Sequence, residues 1–178
     1  MKYILTIIII SCCAFLIKAQ PLKFDKSASK MEIQGTSSVH DWESTVENFT
    51  VEANLNGDQI SDIQFSAIVK SIKSGKSGMD SNTYKALKED DYPEIKFESS
   101  QLRIQGNKLV GTGKLTIAGK SNEIPIDLDI NQESMITVDG KVKIKMTDYD
   151  ITPPTAVFGT IKTGDDITIQ FNFTLTKN

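Results

Sequence analysis

From Ile167 to Thr176, apolar Ile167, Ile169, Phe171, Phe173 and Leu175 alternate with polar Thr168, Gln170, Asn172, Thr174 and Thr176. A period of two puts one set on each face of a β-strand, so this segment is expected to have one dry and one wet side. The same rule separates Ile136, Val138, Gly140, Val142, Ile144 and Met146 from Thr137, Asp139, Lys141, Lys143 and Lys145. Weaker alternation runs through Phe49-Val51-Ala53-Leu55, Ile63-Phe65-Ala67-Val69, Ile95-Phe97-Ser99, Leu109-Gly111-Gly113-Leu115-Ile117 and Ile124-Ile126-Leu128-Ile130. With a further strand near Phe24 to Ile33, the pattern predicts eight strands. The polar turns between several of them, such as Asn56-Gly57-Asp58 and Gly106-Asn107, are too short for a parallel crossover, so neighbours are antiparallel.

Two connections are longer. In the first, Ser71 to Pro93, the stretch Met79 to Lys88 predicts a short helix capped by Asp80, with Met79 and Tyr84 as a hydrophobic staple and Pro93 ending it. The second, Thr147 to Asp165, holds Pro153-Pro154 and Gly159 and is expected to be a stiff ordered loop. Eight mostly meandering strands with one dry face each bury it best by closing into an antiparallel barrel, which also removes exposed edges. Eight strands enclose either a packed core or one small ligand. Gly111, Gly113, Gly140 and Ala67 fall on the dry faces. They mark either bends that let the barrel close or places where a guest approaches, and periodicity does not decide between the two.

Ahead of this pattern stands Met1-Lys2, an apolar run from Tyr3 to Ile17, and Lys18-Ala19-Gln20. That order is expected of a secretory signal peptide cut after Ala19, since the run is short for a membrane span. A lipoprotein-type cut at Cys12 is the alternative. The expected mature protein is a single domain over residues 20–178, periplasmic or secreted, monomeric or weakly dimeric. Both cysteines, Cys12 and Cys13, would be lost with residues 1–19, and net charge would move from -3 to -5 as Lys2 and Lys18 leave. A mildly acidic chain without basic clusters offers no footprint for nucleic acid, and no integral membrane segment is expected after cleavage.

Candidate chemistry is sparse. His40 is the only histidine, which argues against a zinc site, and no nucleophile-elbow pattern occurs, so His40-Asp41-Trp42 is expected to order a turn, with Trp42 sealing a barrel end. Glu89-Asp90-Asp91 and Asp165-Asp166 lack the spacing of a calcium loop. No catalytic residue, metal or required cofactor is expected. The rival enzyme reading rests on His40 or Asp41 acting on a bound lipid.

Val69-Lys70-Ser71-Ile72-Lys73-Ser74-Gly75, then Met79-Asp80-Ser81-Asn82-Thr83-Tyr84, then Tyr92-Pro93-Glu94-Ile95-Lys96-Phe97 resembles the YceI family. The likeness continues through Gly111 to Ile117 and Met146 to Gly164. An early His-Ser-x-x-x-Phe segment of that family reads here Ser38-Val39-His40-Asp41-Trp42. The resemblance implies a lipocalin-like barrel that holds polyisoprenoid, isoprenoid-quinone-like or possible fatty acid or amide ligands for transport or storage. It tips the open choice toward a cavity. Phe49, Phe65, Phe97, Phe171 and Phe173 are the large candidate lining residues, joined by Trp42, Val51, Ala67, Leu115, Ile126 and Leu128. Val142, Ile144, Met146, Phe158 and Ile169 complete the set. Met79, Tyr84 and Leu87 on the helix, with the loop around Val157-Phe158, are expected to cover a mouth. The alternative is an envelope structural or interaction domain with a filled barrel, touching membrane or envelope proteins transiently.

Overall fold

A computed structural model describes residues 19–156 and 158–177; all of the expected signal segment but Ala19, with Cys12 and Cys13, lies outside the described residues, as do Val157 and Asn178. The chain runs β1 (Gln20–Phe24), β2 (Lys30–Ser37), β3 (Trp42–Val46), β4 (Phe49–Asn56), β5 (Gln59–Ile68), β6 (Ile72–Lys73) and α1 (Ser77–Ala86). It continues through β7 (Glu94–Gln105), β8 (Lys108–Ile117), β9 (Lys120–Asn131), β10 (Ile136–Lys145), β11 (Thr155–Ala156) and β12 (Ile161–Lys177). Every pairing is antiparallel.

Three of the barrel staves are broken in two. β2 pairs β3 while β1 pairs β4, and β3 pairs β6 while β4 pairs β5, so β1/β2, β3/β4 and β5/β6 each form one continuous stave. The staves follow chain order through β7, β8, β9, β10 and β12, and β12 closes on β1 and β2. The result is the eight-stranded antiparallel barrel that the alternation predicts. Outer positions on β10, among them Asp139, Lys141, Lys143 and Lys145, are exposed and charged, unlike the apolar outer band of a membrane-spanning barrel. No helix among the described residues is long and apolar enough to cross a membrane.

A broken stave leaves backbone groups without ladder partners, and two buried serines supply them. At the first break Ser29 Oγ donates to the Asp25 carbonyl at 2.7 Å and accepts from Thr174 N at 2.9 Å. At the other two Ser71 Oγ accepts from Asn48 N at 3.0 Å and donates toward the Ile68 carbonyl at 2.7 Å, while Glu47 N reaches the Ser71 carbonyl at 2.9 Å. Ser71 is 4% exposed, so water cannot replace it. Ser71→Ala is therefore expected to cost about 1–3 kcal/mol of unfolding free energy in urea titration, the range for a stranded buried polar group. A loss below a few tenths would show that the breaks do not depend on it.

The helix begins earlier than its pattern suggests. Its cap is Lys76, with no side-chain bond, and Asp80 sits on the fourth helical residue, which leaves Met79 inside the first turn and removes the expected staple. Its end is set by Lys88 at φ 52°, with Lys88 N bonding Lys85 O and Glu89 N bonding Tyr84 O in a Schellman arrangement. Pro93 is not the stop; it lies just before β7. The loop from Thr147 is also shorter than expected, because β12 starts at Ile161 and β11 pairs with it.

Candidate functional site

The short hairpins at 57–58, 106–107 and 132–135 all lie at one end of the barrel, and both long connections land at the other. At the hairpin end Leu22, Ile60, Leu102, Leu109, Ile136 and Leu175 are buried together. The opposite end opens into a chamber of about 590 Å³. This is within the range of small-molecule pockets. Its wall is Ile33, Ile72, Ile117, Ile144, Met146, Ile167 and Ile169; its cover is Met79, Asn82, Thr83, Ala86 and Leu87 of α1 on one side and Ile151, Pro154, Thr155 and Ala156 on the other. Ser37, His40, Trp42, Ser44, Lys76 and Thr163 supply its polar and aromatic groups, and no carboxylate lines it. A second, wholly apolar cavity of about 130 Å³ lies deeper, among Val51, Phe65, Phe97, Val142, Phe171 and Phe173. The barrel is not filled.

Glycine placement explains the width. Cross-strand from Phe171 is Gly140, where a Cβ would lie 2.1 Å from the Phe171 ring; likewise a Cβ on Gly113 would meet Phe97 at 2.2 Å and one on Gly35 would meet Trp42 at 2.3 Å. Each ring reaches over the glycine of a neighbouring stave and fills the space that a Cβ there would take. Gly111 differs: it pairs Leu102 at the register shift between β7 and β8, a bend of the kind that helps closure.

The cover is tied down from its own loop. Asp80 accepts from Ser74 N at 2.8 Å and Ser74 Oγ at 2.6 Å. Lys73 Nζ donates to Tyr84 Oη at 2.7 Å, and that hydroxyl reaches the Lys70 and Ile72 carbonyls. The Ser74 hydroxyl bond, helped by its amide and by Lys73, holds the Asp80 carboxyl below its usual 3.8. Across the mouth Thr147 does the same for Asp165 through its Oγ1 and N. A carboxylate held low stabilises the fold above its unfolded pKa, and that contribution is lost as pH falls through the folded value. Hydrogen exchange of the α1 amides is thus expected to be flat with pH from neutrality to about pH 4 after correction for intrinsic rates, and to accelerate below it. Acceleration that Asp80→Asn leaves unchanged would place the acid-labile tie elsewhere.

Of the expected lining residues, Trp42, Ile144, Met146 and Ile169 border the large chamber. Val51, Phe65, Phe97, Leu115, Ile126, Leu128, Val142, Ile169, Phe171 and Phe173 border the small one. Phe49 and Ala67 border neither: at 4% and 1% exposure they belong to the packed core, Phe49 beneath Lys26, whose Nζ is 3.8 Å from its ring centroid. Phe158 points fully into solvent from a left-handed backbone, and so does not cover the mouth. Met79 and Leu87 line the chamber from α1, whereas Tyr84 anchors the helix through its hydroxyl. His40 closes the β2–β3 turn: its N–H donates to Ser37 Oγ, its carbonyl accepts from that hydroxyl, and its Nδ1 donates to the Asp41 carbonyl. Trp42 Nε1 donates to the Thr36 carbonyl at 3.0 Å.

Sequence reading missed Tyr149 and Ile151, which close the chamber from the late loop. Tyr149 is 1% exposed, its hydroxyl has no hydrogen bond of good geometry, and burial pushes its phenol up. Nothing in the spacing of a Pro-rich loop marks such a residue as inward. Among the described residues no three His, Cys, Asp or Glu side chains are grouped to hold a metal ion.

Residues 22–175 match the model of the YceI-like domain. The chain belongs to the YceI-like family. Solved structures of YceI-like and related proteins share its fold. BcnA of Burkholderia cenocepacia aligns with TM-score 0.73 at 21% identity, over 85% of this chain and 99% of that one. A polyisoprenoid-binding domain from Saccharophagus degradans, implicated in plant cell wall breakdown, aligns with TM-score 0.68 at 12% identity, over 90% of this chain and 100% of that one. The Campylobacter jejuni YceI protein aligns with TM-score 0.62 at 20% identity, over 76% and 84%. No curated protein matches the chain in sequence.

Proposed function

We propose that this YceI-like protein captures the apolar chain of an isoprenoid or similar long-chain lipid in the barrel, carrying or storing it outside the cytoplasm. The observation that carries this reading is the chamber of about 590 Å³, walled by isoleucines and methionines and reached from one end. Sequestering a hydrocarbon chain there gains about 25 cal/mol per Å² removed from water, without a charged contact. The polyisoprenoid-binding neighbour from Saccharophagus degradans supports the same reading through its fold. An apolar leader before residue 20 supports export, since such leaders route a chain through the secretory machinery.

The test is detergent-free purification of the mature protein, organic extraction and mass spectrometry. A lipid near one per protein is the expected result. Repeated preparations without lipid, together with failure of the stripped protein to take up an isoprenoid quinone, would overturn the proposal.

A further inference from the structure

The two cavities meet at one level. Met31, Ile95 and Ile169 border both, and on three staves the residue nearer the mouth borders only the large chamber while the residue on the hairpin side borders only the small one: Ile167 and Phe171 on β12, Ile117 and Leu115 on β8, Ile144 and Val142 on β10. Directly below this waist stands Phe171. It stacks on Phe173 with centroids 4.4 Å apart and planes 20° apart, and its cross-strand partners are Gly140 on β10 and Met31 on β2. Phe173 is itself fixed by Phe24, Phe49 and Phe65, with centroids 5.3–6.0 Å away.

A chain entering past Ile144 and Ile167 therefore runs along isoleucines until it reaches a ring that is pinned on one face by a stacked partner and seated on a glycine. Beyond the waist the free space narrows to the small cavity of about 130 Å³ that the stack borders, and a chain that outgrows it must break the stack. The thioether of Met31 is the flexible neighbour at this level, and it can yield only locally. We infer that the Phe171–Phe173 stack, seated on Gly140, is the depth stop of the barrel: it sets the longest chain that binds without rearrangement. This inference rests on the lipid-binding reading, and it makes this chain select for chain length.

The experiment uses the stripped protein and sodium alkanoates of about 8 to 18 carbons, titrated calorimetrically below their micelle concentrations. Affinity of the wild type should rise about fourfold per added methylene until the chain end meets the stack, and then stop rising. Phe171→Ala and the milder Phe171→Leu should move that break to longer chains by at least about two carbons, because each methylene admitted restores its share of burial. Gly140→Ala, which drives the ring off the wall, should move it to shorter ones. Uptake by all forms with the break at one unchanged length would overturn the depth stop while leaving lipid binding in place. No uptake of any alkanoate by the wild type would also overturn the depth stop, and refusal of an isoprenoid quinone besides would overturn lipid binding with it.

Discussion

Phe173→Ala is expected to cost about 3–5 kcal/mol of unfolding free energy, the range for deleting a buried phenylalanine. The size follows from its position. Its ring is in contact range of four others, Phe24, Phe49, Phe65 and Phe171, at centroid separations of 6.0, 5.3, 5.8 and 4.4 Å, and it is 9% exposed. These rings come from β1, β4, β5 and β12, the staves that close the barrel. Removing the hub opens a void between the staves that the packed rings around it, one of them seated on Gly140, refill poorly. Urea unfolding measures it directly. A cost below about 1 kcal/mol would mean that the surrounding rings collapse into the space and that the cluster is not the structural centre of closure.

Ile144→Asp is expected to leave the fold largely intact and to weaken capture of an apolar chain at least about 100-fold. Ile144 is half-buried on the wall of the large chamber, opposite Ile167 on β12. In the empty protein a carboxylate there can be hydrated through the roomy chamber, so the fold is spared most of the cost of a buried charge. Once a hydrocarbon fills the chamber that hydration is lost, and desolvating an unpaired ion costs several kcal/mol. At 1.4 kcal/mol per tenfold, that is two decades or more. Unchanged affinity, with the melting temperature held, would place the ligand somewhere other than this chamber.

The sequence made the staves legible because alternation reports which side of a strand is dry, and all eight staves fall where apolar residues, with a few small ones among them, recur at every second position. It was silent where polar residues occupy inward positions. β3 was missed because Ser44 sits, 2% exposed, between inward Trp42 and Val46, and the mouth half of β12 because the register shift between Thr163 and Ile167 interrupts the period. The role of Ser71 is invisible to pattern, since its partners, Asn48 and Ile68, belong to different staves or turns. The glycines were readable as special but not as seats, because the rings that lie over Gly113 and Gly140 come from β7 and β12, and only their packing reveals it. Free volume was the least accessible quantity. Periodicity places Phe49 and Phe65 alike on the dry face, and only the crowding around Phe49 separates a core residue from one that borders open space.

Trp42 is the only tryptophan of the chain, and it borders the large chamber. Titrating the stripped protein with an isoprenoid quinone while following Trp42 emission therefore reports on the chamber itself. Saturable quenching at one quinone per protein, abolished by Ile144→Asp, is the predicted result. Absent quenching, or quenching that the aspartate leaves untouched, would contradict the view that the hollow end of this barrel receives the ligand.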